Sequence, residues 1–233
     1  MDERSHLRDS PRTLAEATYR QLREDIVWGK RAPGTALRSN ELRAAYDIGI
    51  SPLREALSRL ASERLVISSG QRGFSVAPLD AEDVLDTMET RIVIEIEALR
   101  RSIRFGGKDW LAAIRENYER LSALPIPQAP GRTAADWSTQ HRAFHMALLS
   151  ASRSRWMIRL AGDLFDQAER HRIVAYLDAA PANFRDRDAE HLRILQAALA
   201  RNEDAAAEAL DSHYRRTGIG VAEKLGYHLN CCG

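Results

Sequence analysis

The chain has 233 residues, of which 44% are hydrophobic and 29% charged, with a formal net charge of +1. That size accommodates one large domain or two small ones, and the near-neutral balance neither requires nor excludes a nucleic-acid partner. There is no run of about 18 apolar residues, Met1 to Arg12 is polar and charged, and the only cysteines, Cys231 and Cys232, are adjacent; a membrane span, a secretory leader and a disulfide framework are not expected, and a cytoplasmic protein is. For the Cys231-Cys232 pair, an unstructured end has more support than a metal role.

Leu14, Thr18, Leu22 and Ile26 recur every four residues and predict a first helix ending near Gly29, before a turn at Ala32-Pro33-Gly34. Ser39 is expected to cap a short second helix through Leu42 to Tyr46. After the connection Asp47-Ile48-Gly49-Ile50, Ser51 is expected at the N-cap and Pro52 at the first position of a third helix. That helix turns Leu53, Ala56, Leu57 and Leu60 toward the core. Leu65-Val66-Ile67 and Phe74-Ser75-Val76 are β-like runs joined by a turn over 68–73. Three helices and a hairpin make a winged helix-turn-helix over 12–77, followed by a linker at 78–82. The remainder, 83–226, carries no strand signal. Helices are expected at Asp83 to Phe105, closed by Gly106-Gly107, and at Trp110 to Leu121. A loop broken by Pro125, Pro127, Pro130 and Gly131 precedes helices near 134–151, 155–178, 186–200 and 203–225. The fold class is mostly α with a small β-hairpin, the second domain being an antiparallel bundle of about six helices. Trp137, Phe144, Trp156 and Phe165 are read as core.

Between Pro11 and Arg72 basic residues outnumber acidic ones. A solvated basic surface explains this as well as phosphate contacts do. The helix-turn-helix geometry adds direction, because its second helix enters the major groove by the N-terminal end. Ser51, Pro52, Leu53 and Arg54 lie at that end. Free helical N–H groups with a hydroxyl can hold a phosphate, and Arg54 can reach guanine in bidentate fashion. Arg38 and Arg43 are candidate backbone clamps, Arg59 a flanking contact, and Arg72 with Gly73 a wing tip for the minor groove.

Four histidines form a second pattern. His141 and His145, four apart, project from one helix face, while His191 and His213 lie on two later helices. Imidazoles on facing helices suit a divalent ion, zinc foremost and nickel or others besides. Chance spacing on a polar face is the competing reading. Arg91 can grip a carboxylate or pair with Glu95 one turn on, and Gln167, Arg170 and His171 are further pocket candidates. A helical metalloenzyme hydrolysing through the four-histidine site is the alternative function, but no general base, nucleophile elbow or phosphate loop accompanies it.

Pro33-Gly34-Thr35-Ala36-Leu37, Ser51-Pro52-Leu53-Arg54-Glu55-Ala56-Leu57 with Arg59-Leu60, and Gly73-Phe74-Ser75-Val76 together resemble the GntR family of bacterial regulators. The second half is similar to the FadR-type ligand-binding (FCD) domain, and the resemblance runs from about Leu14 to Arg216. It implies a regulator, expected to be a repressor, that binds palindromic double-stranded operator DNA as a homodimer and is released by a small carboxylate. It also implies metal ligands at His145, His191 and His213, with His141 standing where the family has Asp, either as a fourth ligand or as an effector contact. Arg91 and Glu95 match the first helix's Arg-x-x-x-Glu pattern. Gly49-Ile50 stand where the family has Ser-Arg, so the operator is expected to differ from common family sites. His-Arg-Ala-Phe-His at 141–145 and Phe-Asp-Gln-Ala-Glu-Arg at 165–170 are similar to the carbon-starvation-induced regulator branch, which implies glutarate or 2-hydroxyglutarate as effector.

Overall fold

The structure is a computed structural model and describes residues 11–27, 29–68, 73–127, 132–177 and 187–227. The chain folds as two compact units, with the boundary between Leu79 and Asp80.

In the N-terminal unit, α1 (Pro11–Val27) packs on α3 (Ile50–Ser62), with α2 (Ser39–Tyr46) against α3. Leu22, Leu42, Leu53, Leu57, Leu60 and Leu65 form the fully buried centre. These side chains recur at helical spacing, so burying one stripe per helix closes the core. Asp47 ends α2 in the left-handed region at φ 48°, and its N–H returns to the carbonyl of Arg43, which sets the sharp turn into α3.

A three-stranded antiparallel sheet completes the unit, in the order β1 (Ala36–Leu37), β3 (Phe74–Val76), β2 (Val66–Ser68). The hairpin was expected and β1 was not. Two residues are too few to show alternation, and the pairing is set by Gly34 N–H on the Val76 carbonyl (3.0 Å) and Val76 N–H on the Thr35 carbonyl (2.9 Å). Leu65, expected in β2, precedes it as a core residue. Both helix caps also move by a residue or more. Arg38, not Ser39, caps α2, and Gly49, not Ser51, caps α3. Pro52 therefore stands third in α3, where its missing N–H has no intrahelical partner to lose. The turn residues 69–72, Arg72 among them, lie outside the described residues.

The C-terminal unit contains six helices among its described residues: α4 (Ala81–Phe105), α5 (Lys108–Ser122), α6 (Arg132–Leu149), α7 (Arg155–Leu177), α8 (Arg187–Leu199) and α9 (Glu203–Lys224). Asp80 caps α4 through the Glu82 N–H (3.1 Å), and Asn202 caps α9 through the Ala205 N–H (3.0 Å). The α4 helix packs on α9 and α7, with α8 on α9 and α5 on α6. The break between α4 and α5 needs Gly106, since a Cβ there would lie 2.4 Å from the Trp110 ring. Trp137, Phe144 and Phe165 are buried as expected, but Trp156 is 70% exposed in the first turn of α7, with the Arg159 guanidinium over its ring. No helix among the described residues is long and apolar enough to cross a membrane. Cys231 and Cys232 fall outside the described residues.

Candidate functional site

The α6, α8 and α9 helices bring His141, His145, His191 and His213 together in the C-terminal unit. All four are buried, and one ring nitrogen from each lies within 4.8 Å of the others. His141 Nε2 is 3.0 Å from His145 Nε2 and 3.1 Å from His191 Nε2. Ligand bonds of about 2.0–2.1 Å in a tetrahedron place neighbouring nitrogens roughly 3.3 Å apart. The two His141 pairs are thus close to the spacing a zinc-sized ion requires, every other pair lies within 4.8 Å, and the residue types fit such an ion.

The surroundings fix how the rings present themselves. Tyr214 donates its hydroxyl proton to Glu95 Oε2 (2.6 Å), so its oxygen accepts from Arg91 (2.9 Å) and from His145 Nδ1–H (3.0 Å). That leaves the His145 Nε2 lone pair directed into the cluster. Glu190 Oε2 accepts from His213 Nδ1–H at 2.8 Å and orients that ring in the same way. His141 differs: its Nδ1 faces the Arg172 guanidinium, which also holds Glu169. An imidazole that accepts at Nδ1 carries its proton on Nε2 while neutral, so His141 presents an N–H to His145 and His191. It becomes a ligand only by losing that proton or by parting from Arg172.

Trp137 stacks on His141 with ring centroids 4.6 Å apart, and Phe144 and Phe165 complete the apolar wall. Burial holds His141 well below the usual histidine range, reinforced by Arg172; burial does the same to His145, reinforced by His213 and His191. Both rings are neutral at pH 7, the form a metal needs. Burial also lifts the Tyr214 phenol well above its ordinary value, so it remains a donor. Burial opposes charge on Arg91, yet Glu95 and Tyr214 raise its pKa and keep it cationic.

Of the expected effector contacts, Arg91 and Glu95 are both buried and form the intrahelical ion pair (2.7 Å), with Arg91 also over the Phe165 and Tyr214 rings. Gln167 is half-buried on α7. Arg170 reaches toward Asp83 (3.7 Å) and His171, and the α7 arginine beside the histidines is Arg172. Residues two apart on a helix point about 200° apart, so the choice of arginine follows from the register. Phe165, Glu169 and Arg172 stand at helical spacing on one face, a signal that the sequence reading passed over. Tyr214, Glu190, Glu169 and Arg172 were all missed as supporting residues.

In the N-terminal unit, Arg38, Arg43, Ser51 and Arg54 are exposed, Pro52 is half-buried, and Leu53 is 0% exposed. The Leu53 side chain therefore fills the core and is not presented to a groove. Arg59 pairs with Glu16 of α1 and stacks 3.7 Å over Tyr19, and Arg38 pairs with Glu41. Gly73 leads into β3 at φ 87°, a left-handed conformation that suits glycine. No side chain caps α3, and its first helical hydrogen bond is Leu53 N–H to the Gly49 carbonyl.

Residues 14–76 match the bacterial regulatory proteins of the gntR family, and residues 86–216 match the FCD domain. The chain belongs to the GntR family, as a member with an FCD domain. This GntR–FCD chain is 38% identical over 217 residues to the HTH-type transcriptional regulator BphR of Paraburkholderia xenovorans (strain LB400), covering 92% of this chain and 87% of that one. It is 32% identical over 198 residues to the HTH-type transcriptional repressor GlaR of Escherichia coli (strain K12), covering 84% and 90%. The fold matches E. coli McbR/YncC with a TM-score of 0.73 at 20% identity over 92% of this chain and 99% of that one. A GntR regulator structure from Rhodococcus sp. RHA1 matches with a TM-score of 0.70 at 24% identity, covering 92% and 98%. This GntR–FCD chain is thus a transcriptional regulator rather than an enzyme.

Proposed function

We propose that this regulator is a repressor that binds a palindromic operator as a homodimer and leaves it when a small carboxylate binds beside a metal ion in the C-terminal unit. The observation that carries this reading is the cluster of four buried histidines, with His145 and His213 held by Tyr214 and Glu190 so that bare nitrogens face inward. The similarity to GlaR, named a transcriptional repressor, supports the direction of control. Acting on chromosomal DNA, the protein works in the cytoplasm.

His145, His191 and His213 hold the ion, and His141 either joins them or donates its N–H to the incoming carboxylate. A divalent ion in this set supplies a doubly positive centre that no carboxylate ligand neutralises, which favours an anionic effector. Arg172 gives that anion a second cationic contact beside His141. Glutarate and 2-hydroxyglutarate are the first effectors to try. In the N-terminal unit, Ser51 and Arg54 read the major groove, Arg38 and Arg43 hold phosphates, and Arg59 braces α3 through Glu16.

Release requires the carboxylate to bind the DNA-free arrangement more tightly than the DNA-bound one. Binding of the purified protein to the intergenic DNA upstream of its own gene tests this, with zinc and dicarboxylate added in turn. Retarded DNA that is freed by the acid only when metal is present supports the proposal, and indifference to every dicarboxylate contradicts it.

A further inference from the structure

One residue at the reading end of α3 is both apolar and exposed. Ile50 is the first residue of α3 and is 48% exposed. Among the described residues of the N-terminal unit, the only other exposed large apolar side chain is Ile67, on β2. Ile50 therefore does not serve the core, although the neighbouring Ile48 does. It stands where phosphate contacts and most base contacts call for polar side chains. Its β-branched side chain is stiff at χ1, so fixing it in a complex costs little entropy.

The neighbours give this exposure a use. Arg54 follows one helical turn later, also exposed, and residues four apart lie on one edge of a helix. An apolar contact point therefore stands beside a guanidinium. In the major groove, thymine alone of the four bases presents an apolar group, its C5-methyl, while guanine presents the acceptor pair that an arginine grips.

We propose that Ile50 is a specificity-determining residue that reads the methyl group of a thymine in each operator half-site, next to the guanine read by Arg54. This rests on the reading that the N-terminal end of α3 enters the major groove. The test keeps the two apart. The full-length, zinc-loaded protein selects sequences from a random duplex library. The enriched duplex is then remade with deoxyuridine in place of each thymidine in turn, which removes only the methyl.

The expected result is a thymine in each half-site whose replacement weakens binding about fourfold, or about 15-fold when both half-sites change, as the loss of one buried methyl-sized contact predicts. Ile50→Ala binds the two duplexes equally, and Ile50→Val retains part of the discrimination. A wild-type protein indifferent to every thymine-to-uracil change overturns the proposal. So does an Ile50→Ala variant with the full wild-type penalty. Failure to enrich any sequence instead refutes the DNA-reading role of α3.

Discussion

Tyr214→Phe removes one oxygen from the centre of the C-terminal unit and keeps the ring. That oxygen donates to Glu95, and accepts from Arg91 and His145. Arg91 Nε and Glu95 Oε1 still have each other at 2.7 Å, but Glu95 Oε2 loses its donor, and the terminal Arg91 N–H and His145 Nδ1–H lose their acceptor. Leaving a buried polar group unpartnered costs about 1–3 kcal/mol, so three such losses come to about 3–9 kcal/mol. At roughly 2–4 °C per kcal/mol for a chain this long, the metal-free transition falls by at least about 6 °C in differential scanning calorimetry. Zinc affinity falls as well, because His145 no longer has its ring orientation and tautomer fixed, and losses of this kind are about 10- to 100-fold. Competition against a zinc-binding dye measures this separately. A lowered transition with unchanged zinc affinity refutes the reasoning, since it reduces Tyr214 to a packing residue.

Acidification should destabilise the metal-free protein through its buried neutral histidines. The folded values of His141 and His145 lie well below 6.5 and that of His171 is about 4, so below pH 6.5 the unfolded chain binds more protons than the folded one. Their stabilisation is present above pH 6.5 and is lost as pH falls, by roughly 1 kcal/mol per histidine between pH 6 and pH 5; urea midpoints that do not move across this window contradict the assignment. Arg172→Gln in the zinc-loaded protein should weaken dicarboxylate binding about 10-fold or more, as loss of a charge-assisted contact implies, while Arg170→Gln leaves it near wild type; calorimetric titration giving the reverse order would restore Arg170 as the effector contact. Arg54→Ala should lose about 1–3 kcal/mol of operator affinity and relax the choice at one guanine, seen by anisotropy on guanine-substituted duplexes; a uniform loss on all sequences would make Arg54 a phosphate contact.

The sequence carried the architecture where patterns are long. The four-residue spacing of Leu14 to Ile26 and the 25-residue run of α4 were legible because each buries a continuous stripe. The β1 strand was not, because two residues have no period and their pairing depends on β3, far along the chain. The cap of α3 was ambiguous because Pro52 is tolerated anywhere in a first helical turn. The four histidines were legible as a set because residues of one chemistry stood on three helices. Their supports were not, because Tyr214, Glu190, Glu169 and Arg172 are ordinary residues whose meaning lies in contacts between helices. By sequence Leu53 suits both the core and the reading end, and its complete burial leaves it in the core.

The most direct test of the proposed switch is one anisotropy titration of labelled operator with three preparations: chelator-treated protein, zinc-loaded protein, and zinc-loaded protein with glutarate or 2-hydroxyglutarate. The expected result is tight operator binding that the dicarboxylate weakens at least fivefold with zinc present and leaves unchanged without it, a coupling of about 1 kcal/mol or more. Release by the acid that is equally strong after chelation would contradict a metal-dependent switch built on His145, His191 and His213.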